Sequence, residues 1–142
     1  MIPYGKQWIS QQDIDAVVSV LTSDFLTQGP AVPRFEKAFA KKVSAEFAVS
    51  SNSATSALHI ACLALGVSKG DIVWTSPVSF VASSNCALYC NATVDFVDID
   101  PATYNMSVEV LEQKLHEAEI NGTLPKVVIP VHLAGQSCDM RA

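Results

Sequence analysis

Between residues 47 and 131, short apolar runs alternate with longer helical patterns: FAVS, an alanine-rich stretch, IVWT, a second helical stretch, TVDFV, a third, and KVVIPV. Strands joined by a crossover of about ten to fifteen helical residues are parallel neighbours, because the chain must return to the same end of the sheet before it can pair again. The spacing therefore predicts βαβ units. The apolar runs are near-continuous, which predicts strands covered on both faces. Together these features predict an α/β fold of three layers, α/β/α, around a mostly parallel sheet.

Ahead of this region, Ser10 with Asp13 three residues on predicts a helix N-cap, and Ile14, Val17, Val18 and Leu21 supply one apolar stripe of a helix ending near Ser23. Residues 24–33 (DFLTQGPAVP) carry Gly29, Pro30 and Pro33 and read as a loop. A second amphipathic helix follows, with Phe35, Ala38, Phe39 and Val43 on one face and Lys37, Lys41 and Lys42 elsewhere. Beyond it the pattern predicts a strand at 47–50, a helix over 54–65, a turn at 66–71, a strand at 72–75 and a helix over 79–90. A strand at 93–97, a helix opened by Ser107 and a strand at 126–131 complete it, with Pro130 marking an end or an edge.

A chain of 142 residues with 49% hydrophobic and 16% charged residues is long enough for a core and too apolar to be disordered. Net charge is −5 and the basic residues are dispersed, which argues against nucleic acid as a partner. No run approaches the ~18 apolar residues of a membrane span. MIPYGKQW is not followed by the apolar core of a signal peptide, so a cytoplasmic setting is expected. Cys62, Cys86, Cys90 and Cys138 show no metal-ligand spacing and read as buried thiols of a reducing compartment; His59, His116 and His132 read as packing or surface residues, and no metal site is expected.

In open parallel sheets, ligands sit at the carboxyl ends of the strands. Residues 53–65 (SATSALHIACLAL) follow the FAV run and turn small hydroxylated residues into a helical pattern. The first N–H groups of a helix lack intrahelical partners and the helix dipole favours an anion there, so Ser53, Ala54, Thr55 and Ser56 suit a phosphate. The same residues equally suit an ordinary cap. Neither GxxxxGK[ST] nor GxGxxG occurs, which removes the nucleoside-triphosphate loop and the dinucleotide fingerprint as explanations. Phe80, after Thr75-Ser76-Pro77-Val78-Ser79 at a helix start, suits stacking on a planar ring, or plain core packing.

The succession FLTQGP, SNSATSALHIACLALGV, KGDIVWTSPVSFVASSNCALYCNATVDFVDIDPATYNM and VVIPVHLAGQSCDM resembles the large domain of pyridoxal-phosphate-dependent sugar-nucleotide aminotransferases of fold type I, in order and over nearly the whole chain. Within that family, MIPYGKQWIS, DFLTQGP and NSATSAL are similar to the transaminases of pseudaminic acid biosynthesis. The resemblance implies transfer of an amino group from L-glutamate to C4 of a UDP-4-keto-6-deoxy-N-acetylhexosamine, with pyridoxal 5'-phosphate as cofactor and a homodimer as the working form. It places Ala54 and Thr55 at the cofactor phosphate and Phe80 on the pyridine ring. Tyr4, Asp24, Phe25, Leu26, Thr27 and Ala54 are placed along the sugar-nucleotide pocket. Asn85 and the Asp98-Ile99-Asp100 segment are given a structural role, and His132, Gly135 and Gln136 match a segment near the active site. It divides the chain into an N-terminal helix and substrate-loop segment, 1–33, and the start of the cofactor-binding domain, 34–142.

No lysine here lies in the family's Ser-x-x-His-Lys type of context, and family members are two to three times as long. The catalytic Schiff-base lysine is therefore expected beyond residue 142, the large domain is expected to be incomplete, and the chain alone is expected to be inactive. Three alternatives stay open: a pyridoxamine-phosphate-dependent sugar 3-dehydrase of the same fold, a non-catalytic binding or dimerisation module, and, without the resemblance, a doubly wound nucleotide-binding domain.

Overall fold

The computed structural model describes residues 5–142; Tyr4, expected in the sugar-nucleotide pocket, lies outside the described residues. The chain divides into two compact units, the first ending at Ser50 and the second running Ser51–Ala142.

The first unit holds α1 (Gln11–Leu21) and α2 (Ala31–Lys42). Helix α1 starts where the sequence places it because Ser10 and Asp13 form a reciprocal capping box. Ser10 N–H donates to Asp13 Oδ2 at 2.8 Å and Asp13 N–H donates to Ser10 Oγ at 3.3 Å. The Ser10 N–H, and after it the Ser10 hydroxyl, which donates to the same Oδ2 at 2.8 Å, hold the Asp13 carboxyl below its ordinary range. Helix α2 begins inside the stretch expected to be loop. Pro33 falls in its first turn, where a missing N–H costs nothing because no intrahelical acceptor exists there. The loop before it is tight: a Cβ at Gly29 would stand 2.7 Å from Phe25 Cβ, so glycine is required. On α2, Phe35 and Phe39 stack with centroids 5.9 Å apart.

Residues 47–50, expected as a strand, form none. The Ser50 N–H and hydroxyl are both taken by Glu36 Oε1, at 2.8 and 2.9 Å, so a side chain satisfies the donor a ladder would have used. That contact keeps the Glu36 carboxyl below its usual range.

The second unit contains α3 (Ala54–Ala64), β1 (Ile72–Thr75), α4 (Ala82–Tyr89), β2 (Thr93–Phe96), α5 (Val108–Asn121), β3 (Val127–Ile129) and a single 3-10 turn, Leu133–Gly135. The three strands form one parallel sheet in the order β2-β1-β3, with Trp74 opposite Asp95 on one side and Val128 on the other. Side chains alternate across a strand, and β1 therefore feeds two cores. Val73 packs with Cys62 of α3, with Cys86 and Ala87 of α4, and with Cys90 just past the end of α4. Trp74 packs on the opposite face with Val97, Met106 and Ala118, against Leu111 and Leu115 of α5. This is the expected three-layer α/β/α arrangement with a parallel sheet.

The ends follow local chemistry. Ser107 Oγ accepts the Val110 N–H at the start of α5, and Gly122 at φ 67° closes its other end, in the left-handed region that favours glycine. Strand β3 stops before Pro130, as Pro130 suggested. Helix α4 starts three residues later than expected, because the Ser83 N–H bonds the Phe80 carbonyl in a turn; Phe80 thus precedes the helix. Lys114 crosses the Trp74 ring at 4.9 Å and pairs with Asp95 at 2.7 Å, and that hydrogen bond chiefly holds the Asp95 carboxyl low. No helix among the described residues is long and apolar enough to cross a membrane.

Candidate functional site

Helix α3 presents its N-terminus as the sequence expects. Ser53 is the N-cap, in extended backbone, and its Oγ accepts the Ser56 N–H at 3.2 Å. This fixes one of the early donors. The amides of Ala54 and Thr55, at the first two helical positions, have no acceptor among the described residues, nor does the Thr55 hydroxyl. No carboxylate stands in the first turn to compete with an incoming anion. The arrangement can hold a phosphate by two backbone N–H groups and a hydroxyl.

Phe80 follows the carboxyl end of β1, and 74% of its surface is exposed. The ring is outside the core of this unit, and its surface is free for stacking. The adjoining Thr75 is buried and donates from Oγ1 to the Ile129 carbonyl at 3.0 Å, tying the carboxyl ends of β1 and β3 together. Ser79 and Ser83 share a 2.8 Å hydroxyl contact, while the buried Ser76 Oγ has no partner among the described residues. Ala54, Thr55 and Phe80 therefore belong to one unit, in which α3 and α4 share a core. Asp24, Phe25, Leu26 and Thr27 lie in the first unit, exposed, in the loop that Gly29 tightens.

The carboxyl end of β3 leads into a loop whose construction was not foreseen. Asn105, only 4% exposed, uses both of its side-chain donors and its carbonyl oxygen there. Its Oδ1 accepts the Leu133 N–H, and its Nδ2 donates to the Gln136 and Ser137 carbonyls, each at 3.1 Å. His132 Nδ1 accepts the Cys138 N–H at 3.1 Å. Only the position of Asn105 in a turn-rich stretch signalled it, and many unremarkable asparagines share that. Asp98 and Asp100 make short-range turn bonds, to the Ile99 and Ala102 amides, in keeping with a structural role.

A cavity of about 420 Å³ opens at the start of α5 against residues 137–139. Asp100, Glu109 and Asp139 line it, a charge sign that repels phosphate, and none of Ala54, Thr55 or Phe80 borders it. Cys62, Cys86, Cys90 and Cys138 are buried and free. Burial, with a hydrogen bond to Cys86, pushes the Cys62 thiol up to about 11, which makes it a packing residue rather than a nucleophile. His59 packs edge-on against Tyr89 at 5.3 Å, as a packing histidine should.

A parallel sheet with helices on both faces, an open helix N-terminus and an exposed aromatic ring after a strand's carboxyl end describe an α/β domain of the three-layer kind. Solved structures share the fold. One is the Helicobacter pylori PseC, an aminotransferase involved in pseudoaminic acid biosynthesis (TM-score 0.86, 30% identity, 98% of this chain and 36% of that one). Another is the PLP form of a putative sugar aminotransferase, Spr1654, from Streptococcus pneumoniae (TM-score 0.84, 32% identity, 97% and 34%). By sequence, the UDP-4-amino-4,6-dideoxy-N-acetyl-beta-L-altrosamine transaminase of Campylobacter jejuni is 40% identical over 99% of this chain and 36% of its own length. Residues 7–142 match the DegT/DnrJ/EryC1/StrS aminotransferase family, and the chain belongs to that family. It spans about a third of the length of the curated relatives it matches.

Proposed function

We propose that this chain forms the cofactor-cradling, N-terminal part of a pyridoxal-phosphate-dependent transaminase acting on a nucleotide sugar. The observation that carries the reading is the open start of α3, where the Ala54 and Thr55 amides await an anion. The bare Phe80 ring fits the same cofactor: a pyridine ring needs a flat apolar surface, and a phosphate ester needs unpaired donors and no nearby carboxylate. When bound, the cofactor supplies an electron sink for amino-group transfer.

In this reading Ala54 and Thr55 bind the phosphate. Ala54 also keeps side-chain bulk away from it, and Phe80 covers one face of the ring and excludes water there. Asp24, Phe25, Leu26 and Thr27, with Tyr4, line the sugar-nucleotide pocket, so residues 1–33 serve substrate and residues 34–142 begin the cofactor domain. Lys114 and Lys126 are held in ion pairs with Asp95 and Asp71, and neither is given the proton-transfer role. That role falls to a lysine outside these residues, and residues 1–142 alone are inactive. We take the substrate to be a UDP-4-keto-6-deoxy-N-acetylhexosamine aminated at C4, the donor to be L-glutamate, the working form to be a homodimer, and the setting to be cytoplasmic. The similarity to the altrosamine transaminase and to PseC supports this choice of sugar.

The test is equilibrium binding of pyridoxal phosphate to the polypeptide as its gene encodes it, followed by absorbance, with Phe80→Ala and Thr55→Val beside the unaltered protein. Conversion of the bound cofactor by L-glutamate, and its return on adding a 4-keto nucleotide sugar, are expected. Weakening by both substitutions supports the cradle. Tight binding unaffected by either one refutes it.

A further inference from the structure

The loop that leaves β3 is held more firmly than a connection needs to be. Ala134 sits at φ 52° and Gly135 at φ 86°, two successive left-handed residues, and a side chain in that region costs about 1–2 kcal/mol. Such a conformation persists only when its surroundings fix it. Here they do. Asn105 clamps Leu133, Gln136 and Ser137, the Cys138 thiol donates to the Val131 carbonyl at 3.3 Å, and His132 Nδ1 accepts the Cys138 N–H.

The last bond sets the chemistry of the ring. A backbone N–H can only donate, so Nδ1 must be the unprotonated nitrogen, and the neutral imidazole then carries its proton on Nε2. His132 is exposed, with its Nδ1 edge spent on the loop. It stands three residues beyond Ile129, whose carbonyl is bonded to Thr75 at the end of β1. The ring is thus a fixed hydrogen-bond donor at the carboxyl edge shared by the two strands, the edge where parallel sheets bind ligands.

We propose that His132 binds ligand by donating its Nε2–H to a phosphate oxygen, with Asn105 as the positioning residue that holds its loop. The proposal rests on the transaminase reading above, in which the cofactor and the nucleotide sugar are the two sources of phosphate.

Two substitutions separate the ring's two nitrogens, in the polypeptide as its gene encodes it. His132→Asn puts an amide oxygen where Nδ1 stands and removes the Nε2–H. His132→Gln reaches to the Nε2 position and leaves the Cys138 amide without its acceptor. Pyridoxal phosphate and UDP serve as the two probes, and hydrogen exchange at Leu133 and Cys138 reports the loop. His132→Asn is expected to keep the exchange protection and to bind one probe about tenfold more weakly or worse, the probe affected identifying the source of the phosphate. His132→Gln is expected to bind that probe nearly as the unaltered protein does, while Cys138 exchanges faster.

Unchanged affinity of His132→Asn for both probes overturns the proposal and leaves the transaminase reading standing. Failure of the unaltered protein to bind either probe overturns both. Should His132→Asn not fold, the 15N resonance of Nε2 in the unaltered protein decides: it must shift on saturation with one probe, and an unmoved resonance overturns the proposal.

Discussion

Replacing Asn105 with alanine removes three hydrogen bonds at once, and their surroundings set how much each is worth. Leu133 is half-buried, so its N–H loses a partner where water enters poorly, at a cost of about 1–2 kcal/mol. Gln136 and Ser137 are exposed and their carbonyls regain water, at about 0.5 kcal/mol each. The expected loss is about 2–3 kcal/mol, concentrated in a loop that already carries the left-handed Ala134. Urea denaturation should show the loss, and hydrogen exchange should show Leu133 and Cys138 opening well before the sheet. Asn105→Asp sharpens the test: its carboxylate still accepts from Leu133 but turns an oxygen toward two carbonyl oxygens. It should be at least as damaging as alanine at neutral pH and should recover on acidification, as the protonated acid regains a donor. A loss below about 0.5 kcal/mol for Asn105→Ala, with exchange unchanged, would refute the clamp.

Three further expectations follow from contacts already described. Ser53→Ala should destabilise α3 by about 1 kcal/mol through loss of the cap, read as a lower urea midpoint, whereas Ser53→Asp should keep the cap but repel phosphate from the same amides. Iodoacetamide at mildly alkaline pH should leave Cys62, Cys86 and Cys90 unlabelled in the native protein and label all three in denaturant, as intact mass would show. The Asp71 carboxyl is held low chiefly by its hydrogen bond to Lys126 Nζ, then by the Ser68 N–H. A lowered folded value means that its contribution is present above the ordinary aspartate pKa and is lost as pH falls through the lowered one. Asp71→Asn should therefore flatten the acid limb of the stability profile.

The sequence carried the periodic parts of this fold well. The bounds of β1, the capping box of Ser10 and Asp13 and the helix opened by Ser107 all follow from local patterns that nothing in the tertiary structure overrides. Residues 47–50 show the limit. An apolar run reads as a strand whether or not a partner exists, and here Glu36 from another element takes the donor. Pro33 misled in the opposite way, since a proline ends a helix only beyond its first turn. Of the candidate site, the start of α3 was legible because Ser53 and the small residues after it cap a helical pattern locally, and Phe80 was legible only as an aromatic that follows β1. The Asn105 clamp was not, because it joins residues 28 to 32 positions apart that no local pattern connects.

The sheet order has a consequence for how the protein is made. β1 lies at the centre, yet its two neighbours arrive at different times: β2 follows after a single short helix, whereas Thr75 and Ile129 are 54 residues apart in the chain. On a ribosome, β1 and β2 can pair while one edge of β1, with its row of backbone donors and acceptors, still awaits β3. Closing that longer loop is the slow, non-local event. The loop bearing His132 and the bond from Thr75 to Ile129 are completed only with it. Chaperone dependence should accordingly track mutations in β3 more closely than equally buried changes in β2, because β3 shields the nascent central strand from its neighbours on the polysome.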